Sequence, residues 1–406
     1  MSTASAPGSP AGDQSVDGAP NSTSADPARL LEEILRQCIS LGASDAHLAA
    51  GLPPYFRVHG ELAARAAAGT PLEKLPASAV EGVARVLTAT ARRGSLPELG
   101  SVDGAVTGPD DIRFRFTAFR RQGGGSVAIR RLEDRFHNLQ ELGLRSDLYS
   151  QCGLADGLVV VAGPTGAGKS TTLAALIDQI NQTRRCHIVT IEDPIEYVHP
   201  PQLSLVNQRQ IGTDAVDFNE ALVAALRQDP DVILVGEIRD LPTIRTALAA
   251  AETGHLVFTT LHAGDCVGTI ERIVSVFPAD EQPGVRRQLA LVLRAVIAQH
   301  LVLCDGAARR TSSGSVSGPS RPRRAAVCEI LQVNSGVAHL IATGRGAQIY
   351  SSIETGGQQG MQTLEADLAR LWAAGQISEI TALHLARNET TVRERYNALR
   401  FGSGSS

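Results

Sequence analysis

Gly163-Pro164-Thr165-Gly166-Ala167-Gly168-Lys169-Ser170 follows the apolar run Leu158–Gly163 and opens the helical stretch Thr171–Ile180. Few features tie a chain so tightly to one local fold. The glycines let successive backbone N–H groups approach a phosphate closely, and the N-terminus of the following helix adds partial positive charge. A strand must deliver such a loop and a helix must leave it. Composition sharpens the point: Lys74 and Lys169 are the two lysines among 38 basic residues, and the others are arginines. Arginine is a planar fork, whereas lysine is a compact charge on a flexible stem. Lys169 thus stands where the compact charge is needed to reach β- and γ-phosphates, and the Ser170 hydroxyl is placed to ligate Mg²⁺. The candidate phosphate-binding residues are Gly163, Pro164, Thr165, Gly166, Ala167, Gly168, Lys169, Ser170 and Thr171.

Downstream, apolar strands end in acid. Asp231-Val232-Ile233-Leu234-Val235-Gly236-Glu237 carries Glu237 at its tip, suited to hold a Mg²⁺ shell or a water. Thr190-Ile191-Glu192-Asp193-Pro194-Ile195-Glu196 crowds three carboxylates into five residues. Such a cluster repels itself unless it meets metal, water or arginine. Glu192 is the leading candidate to polarise an attacking water, and Glu196 is a candidate structural partner. His255 and His262 bracket a third strand, and His262 at its C-terminal end is the better placed to sense a γ-phosphate. His255 stands between a loop hydrogen bond and a functional role.

The wider chain reads as two units between less regular ends. Residues 1–28 lack Lys and Arg, are rich in Ala, Ser, Gly, Pro and Asp, and read as a disordered tail. They also lack the basic and apolar regions of a secretory signal. Residues 29–135 read as a small α+β domain with an antiparallel sheet. Ile112–Phe116 alternates apolar and basic residues, Gly123-Gly124-Gly125 marks a hairpin turn, and Val127–Arg130 returns. Residues 136–390 alternate buried-type strands with helices, which predicts α/β with a parallel sheet. Within them 305–324, with five arginines among Ser, Gly and Pro, reads as a flexible insertion. Leu364, Leu368, Leu371 and Trp372 line one helix face, and 391–406 is set apart as a C-terminal tail.

A net charge of -4 and the lack of basic–aromatic stretches argue against nucleic acid. Apolar runs fall well short of the ~20 residues that cross a bilayer, so membrane association is expected through partners. The six cysteines form no CxxC pair and read as free thiols in a reducing compartment.

Taken together, these elements resemble the secretion-ATPase superfamily, and within it the PilT-like pilus retraction ATPases. The marks are Ser44-Asp45-Ala46-His47-Leu48 with Arg57-Val58-His59-Gly60, the phosphate loop, the acidic stretch Thr190–His199, Leu226–Asp231 leading into Gly236-Glu237-Ile238-Arg239-Asp240, the stretch Thr253–Ala263, Arg294–Gln299, and Gly360-Met361-Gln362-Thr363-Leu364. The resemblance implies a PAS-like N-terminal domain, a RecA-like P-loop ATPase domain and a homohexamer. It also implies ATP and Mg²⁺ held between the domains, with Ser170 and Glu237 on the metal. Arginines of the N-terminal domain complete such sites. Arg113, Arg115 and Arg130 match that role beside Glu192, Glu237 and His262, with Arg239 and Arg227 as weaker candidates. The implied work is pilus retraction in twitching motility. It would be done at the inner face of the cytoplasmic membrane, against an inner-membrane platform protein. The alternatives are an ATPase of a type II or type IV-like secretion machine, a nucleotide-dependent regulator of pilus assembly, and a nucleic-acid translocase. A tetracysteine metal site and a longer N-terminal region, usual in the export branch, are absent from the sequence. That favours the retraction branch.

Overall fold

The computed structural model describes residues 26–58, 60–64, 72–89, 96, 100–132, 135–304 and 324–401. The first helix, α1 (Pro27–Ser40), starts earlier than the expected end of the tail. The Asp26 carboxylate accepts the Ala28 N–H, and Pro27 stands at the first helical position, where no N–H is needed. Three short strands follow, β1 (Asp45–Ala49), β2 (Tyr55–Val58) and β3 (Glu61–Ala63), then α2 (Ala77–Thr88). The strands β4 (Ser101–Thr107), β5 (Arg113–Arg121) and β6 (Gly124–Arg131) complete an antiparallel sheet of order β3-β2-β1-β6-β5-β4. Period-2 patterning decides its faces. Phe114, Phe116 and Ala118 of β5 are buried in one core with Leu31, Ile34 and Val83 of the two helices, and Arg113 and Arg115 alternate with them on the opposite face. The β5–β6 turn is Gln122-Gly123, both with positive φ (50° and 78°). Gly124 and Gly125 pair with Arg121 and Arg120 inside the ladder. The turn is thus shorter than the triple-glycine turn read from the sequence, because a two-residue loop with positive φ at both positions matches the strand twist.

The second sheet runs β13-β12-β7-β11-β10-β8-β9. It is built from β7 (Gly157–Ala162), β8 (His187–Glu192), β9 (Leu205–Gln210), β10 (Val232–Val235), β11 (Leu256–Leu261), β12 (Leu293–Leu303) and β13 (Arg324–Gln332). Every neighbouring pair is parallel except β12–β13, so the expected parallel sheet acquires an antiparallel edge strand. All of β7, β10 and β11 is buried, as it must be when helices cover both faces. On one face Val159 and Val161 pack with Leu173, Leu176 and Ile180 of α3 (Lys169–Thr183). On the other, Leu158, Val160 and Ala162 pack in a core with α4 (Phe218–Ala225), α5 (Leu241–Glu252), α6 (Cys266–Ser275), α7 (Gln282–Val292), α8 (Ser335–Ala342) and α9 (Gly346–Thr355).

Three helices close the chain: α10 (Leu364–Ala373), α11 (Glu379–Leu385) and α12 (Glu389–Phe401). The segment set apart as a tail from 391 is therefore helical through Phe401, and Tyr396 stacks on Trp372 with ring centroids 3.7 Å apart. The stretches 1–25 and 305–323 lie outside the described residues. Arg324, at the end of the expected insertion, opens β13 opposite Leu303. All six cysteines are unpaired. Among the described residues no helix is long and apolar enough to cross a membrane.

Candidate active site

Parallel strands end along one edge of a sheet, and loops at the carboxyl edge of an α/β sheet are where ligands bind. The registers Ala162↔Leu261 and Val235↔Thr259 bring the phosphate loop after β7, Glu237 after β10 and His262 after β11 to that edge. Glu192 ends β8 beside β10.

The loop closes tightly. Gly168 adopts φ 87° and ψ 18° immediately before α3. A Cβ there would come within 2.9 Å of the Gln299 amide, so both conformation and space require glycine. Gln299, on β12 and buried, fastens the loop by donating to the Ala167 carbonyl (2.7 Å) and accepting the Thr172 hydroxyl (2.7 Å). Lys169 Nζ donates to the Gly163 and Pro164 carbonyls at 2.9 and 3.1 Å. Burial pushes its ammonium below the ordinary lysine range, and Glu237 pulls it partly back. Ser170 is exposed in the first turn of α3, and the Thr171 hydroxyl accepts from Tyr197 at 3.1 Å.

The two acids differ in kind. Glu192 accepts the Thr190 hydroxyl (2.6 Å) and the Gln208 amide (3.1 Å). Burial nevertheless pushes its carboxyl above the usual range, and these bonds offset only part of that shift. Glu237 accepts from Arg239 at 2.6 Å on one oxygen and lies 3.1 Å from His262 Nε2 on the other. Burial works against its charge, but Arg239, His262 and Lys169 outweigh it and hold the carboxyl below its usual value. Burial thus disfavours the charged form of one acid, while its neighbours favour the charged form of the other. Among the described residues, no group of three or more His, Cys, Asp or Glu side chains could itself form a metal cage.

Arg113 is the arginine of the antiparallel sheet that reaches this region. It donates to Gln210 Oε1 (3.3 Å) and to the Ile195 carbonyl (3.5 Å), its buried Nε has no hydrogen-bond partner, and burial holds its guanidinium below the ordinary arginine range against support from Glu192. Arg115 is exposed, opposite Arg130 across the ladder. Arg130 donates to the buried Asp45 carboxylate at 2.8 Å. No hydrogen bond among the described residues joins Arg115 or Arg130 to the phosphate loop. His255 is at the far end of β11, where Nδ1 lies 3.0 Å from the Ala250 carbonyl, a loop contact. Arg227 is exposed. Sequence reasoning gave no role to Gln299, Gln208 or Gln210. The i, i+2 spacing of Gln208 and Gln210 on a polar edge strand was a usable signal, since it sets both on one face.

The chain is similar to known proteins along most of its length. The chain is 42% identical over 357 residues to the type IV pilus retraction ATPase PilT of Pseudomonas aeruginosa, covering 88% of this chain and 98% of that one. It is 40% identical over 342 residues to a twitching motility protein of Neisseria gonorrhoeae, covering 84% and 86%. The crystal structure of the pilus retraction motor PilT with bound ADP superimposes with a TM-score of 0.78 at 39% identity, over 89% of this chain and 98% of that one. The model of the type II/IV secretion system protein family matches residues 21–381. The chain belongs to the type II/IV secretion system protein family.

Proposed function

We propose that this chain is an ATPase whose hydrolysis of ATP powers type IV pilus retraction. One observation carries the reading. A phosphate loop, a raised-pKa glutamate and a glutamate held ionised share one sheet edge, and an arginine from a second sheet reaches the same region. That is the equipment for phosphoryl transfer to water: compensation of phosphate charge, a water-orienting base and a mobile cation. The most similar relatives named above carry retraction and twitching in their names.

Lys169 exchanges its two carbonyl partners for β- and γ-phosphate oxygens. Glu192, with its raised pKa, orients the attacking water and accepts its proton, a division of labour the sequence left open between Glu192 and Glu237. The exposed Ser170 hydroxyl and the ionised Glu237 carboxylate suit a hard, oxygen-seeking cation, so Mg²⁺ fits here and would neutralise phosphate charge. His262 and Arg239 hold Glu237 in place. Arg113 stabilises charge on the transferring phosphoryl group, and Arg115 and Arg130 serve across the contact between copies in a homohexamer. The ring works in the cytoplasm against an inner-membrane platform protein, attached to the membrane through that partner. The N-terminal unit, 29–135, is PAS-like and closes on the RecA-like unit, 136–390, around each ATP.

A strain deleted for this chain, scored for surface pili and surface movement, tests the reading. Excess pili without movement is expected. Loss of pili would indicate an assembly motor, and loss of an exported protein a secretion motor; either contradicts retraction.

A further inference from the structure

We infer that Gln208 of the edge strand β9 is the positioning residue of the general base: its amide aims the Glu192 carboxylate at the attacking water. The inference rests on the ATPase reading and deepens it, because it gives the polar edge strand a part in the reaction.

Register explains the arrangement. β8 and β9 run parallel, with Thr190 beside Gln208 and Glu192 beside Gln210. Alternate residues of a strand share a face, so these four side chains lie on the same side of the sheet. Three of them meet at one atom: the Thr190 hydroxyl (2.6 Å) and the Gln208 amide (3.1 Å) both donate to Glu192 Oε1. Two donors on one oxygen restrict rotation of the carboxylate, and Oε2 takes neither bond. Both bonds also favour the ionised carboxyl against burial, and the ionised carboxyl is the form a base must have. The Gln208 amide has one orientation that satisfies its partners. Nε2 also donates to the Tyr197 carbonyl (2.8 Å), and Oε1 accepts the His199 N–H (2.8 Å). A flipped amide would set its oxygen against a carboxylate and a carbonyl. Gln210, two residues on, accepts the Ile195 N–H (3.3 Å) and Arg113 (3.3 Å). The stretch that follows the base is thus gripped at Ile195, Tyr197 and His199 by two amides of one strand. Tyr197 in turn donates to the Thr171 hydroxyl beside the phosphate loop. A general base gains from such support, because misplacement by ~1 Å can cost about 10²-fold in rate.

A positioning residue differs from a plain support in what its loss does once the base is gone. Single-turnover ATP hydrolysis and ADP affinity are measured in the full chain for Gln208→Met, Glu192→Gln and the two combined. Methionine keeps an unbranched side chain but donates no hydrogen bond. Gln208→Met is expected to slow hydrolysis about ten-fold or more with ADP affinity unchanged. The combined variant is expected to be no slower than Glu192→Gln alone, because the two residues act as a unit. Gln208→Glu covers the case in which Gln208→Met does not fold. It keeps the acceptor for the His199 N–H and sets a second carboxyl beside the base, so the same slowing is expected. Hydrolysis at the wild-type rate in a folded Gln208 variant overturns the inference. A further loss in the combined variant, or a fall in ADP affinity that matches the fall in rate, overturns it too, since the glutamine would then act through the fold of the loop. Glu192→Gln at the wild-type rate would remove the base and the inference with it. A wild-type chain that hydrolyses no ATP would instead overturn the ATPase reading beneath it.

Discussion

Glu192 and Glu237 show how little of a site is decided by residue type. Both are glutamates at strand ends, yet burial governs one, while at the other Arg239, His262 and Lys169 together outweigh burial. The consequence for Glu192 has a definite sign. Its folded pKa lies above the unfolded value, so its contribution to stability is complete below about pH 4 and is lost as pH rises through the folded value. Above the unfolded value, burying this carboxyl is therefore a cost. The Glu192→Gln protein should melt higher than wild type at pH 7, by a margin that closes as pH falls toward about 4. Turnover should move the other way, dropping about 10²-fold or more for loss of a general base. Equal melting temperatures at pH 7 would count against the buried-acid account. The strand-end acids, Lys169 and the glycines were legible in sequence because motif and flanks agree. The environment of each acid was not, since beyond Thr190 on Glu192's own strand it depends on Gln208 of β9 and on Arg239 and His262, which follow β10 and β11.

Elements were legible where periodicity was strong. The apolar runs at Leu158–Gly163, at Asp231–Glu237 and between His255 and His262 fall on β7, β10 and β11 to within one or two residues at their ends. By contrast β4, β9, β12 and β13 received no strand reading. β9 is polar and half-exposed, so hydrophobic alternation is missing from it. β12 runs straight on from α7 with no breaker between Val292 and Leu293. The C-terminal helix α12, set apart as a tail from 391, has a single fully buried residue, Val392, along it. Its hold on the bundle depends on Tyr396 stacking on Trp372, the one tryptophan in the chain. Tyr396→Ala should red-shift Trp372 emission and cost about 0.5–1.5 kcal/mol beyond the area lost, read by denaturant titration. An unchanged emission spectrum would show that the stack does not form in solution.

On the scale of the whole molecule, the account stands on Arg113 as the link between two sheets with separate cores. The resemblance anticipated an arginine in this role, but sequence could not choose among Arg113, Arg115 and Arg130. All three lie on one face of one sheet, and the choice follows from where the second sheet sits. Arg113 is a poor strut: its bonds to Gln210 and Ile195 are long, and its Nε is buried without a partner. Removing it should change stability by less than about 1 kcal/mol. Its value lies in moving charge toward a transferring phosphoryl group, where an arginine finger is worth roughly 10³-fold or more. Single-turnover ATP hydrolysis by Arg113→Ala, at saturating nucleotide, is the most direct test. The account predicts a rate lower by about 10³-fold with an unchanged melting temperature. Hydrolysis at the wild-type rate would contradict it.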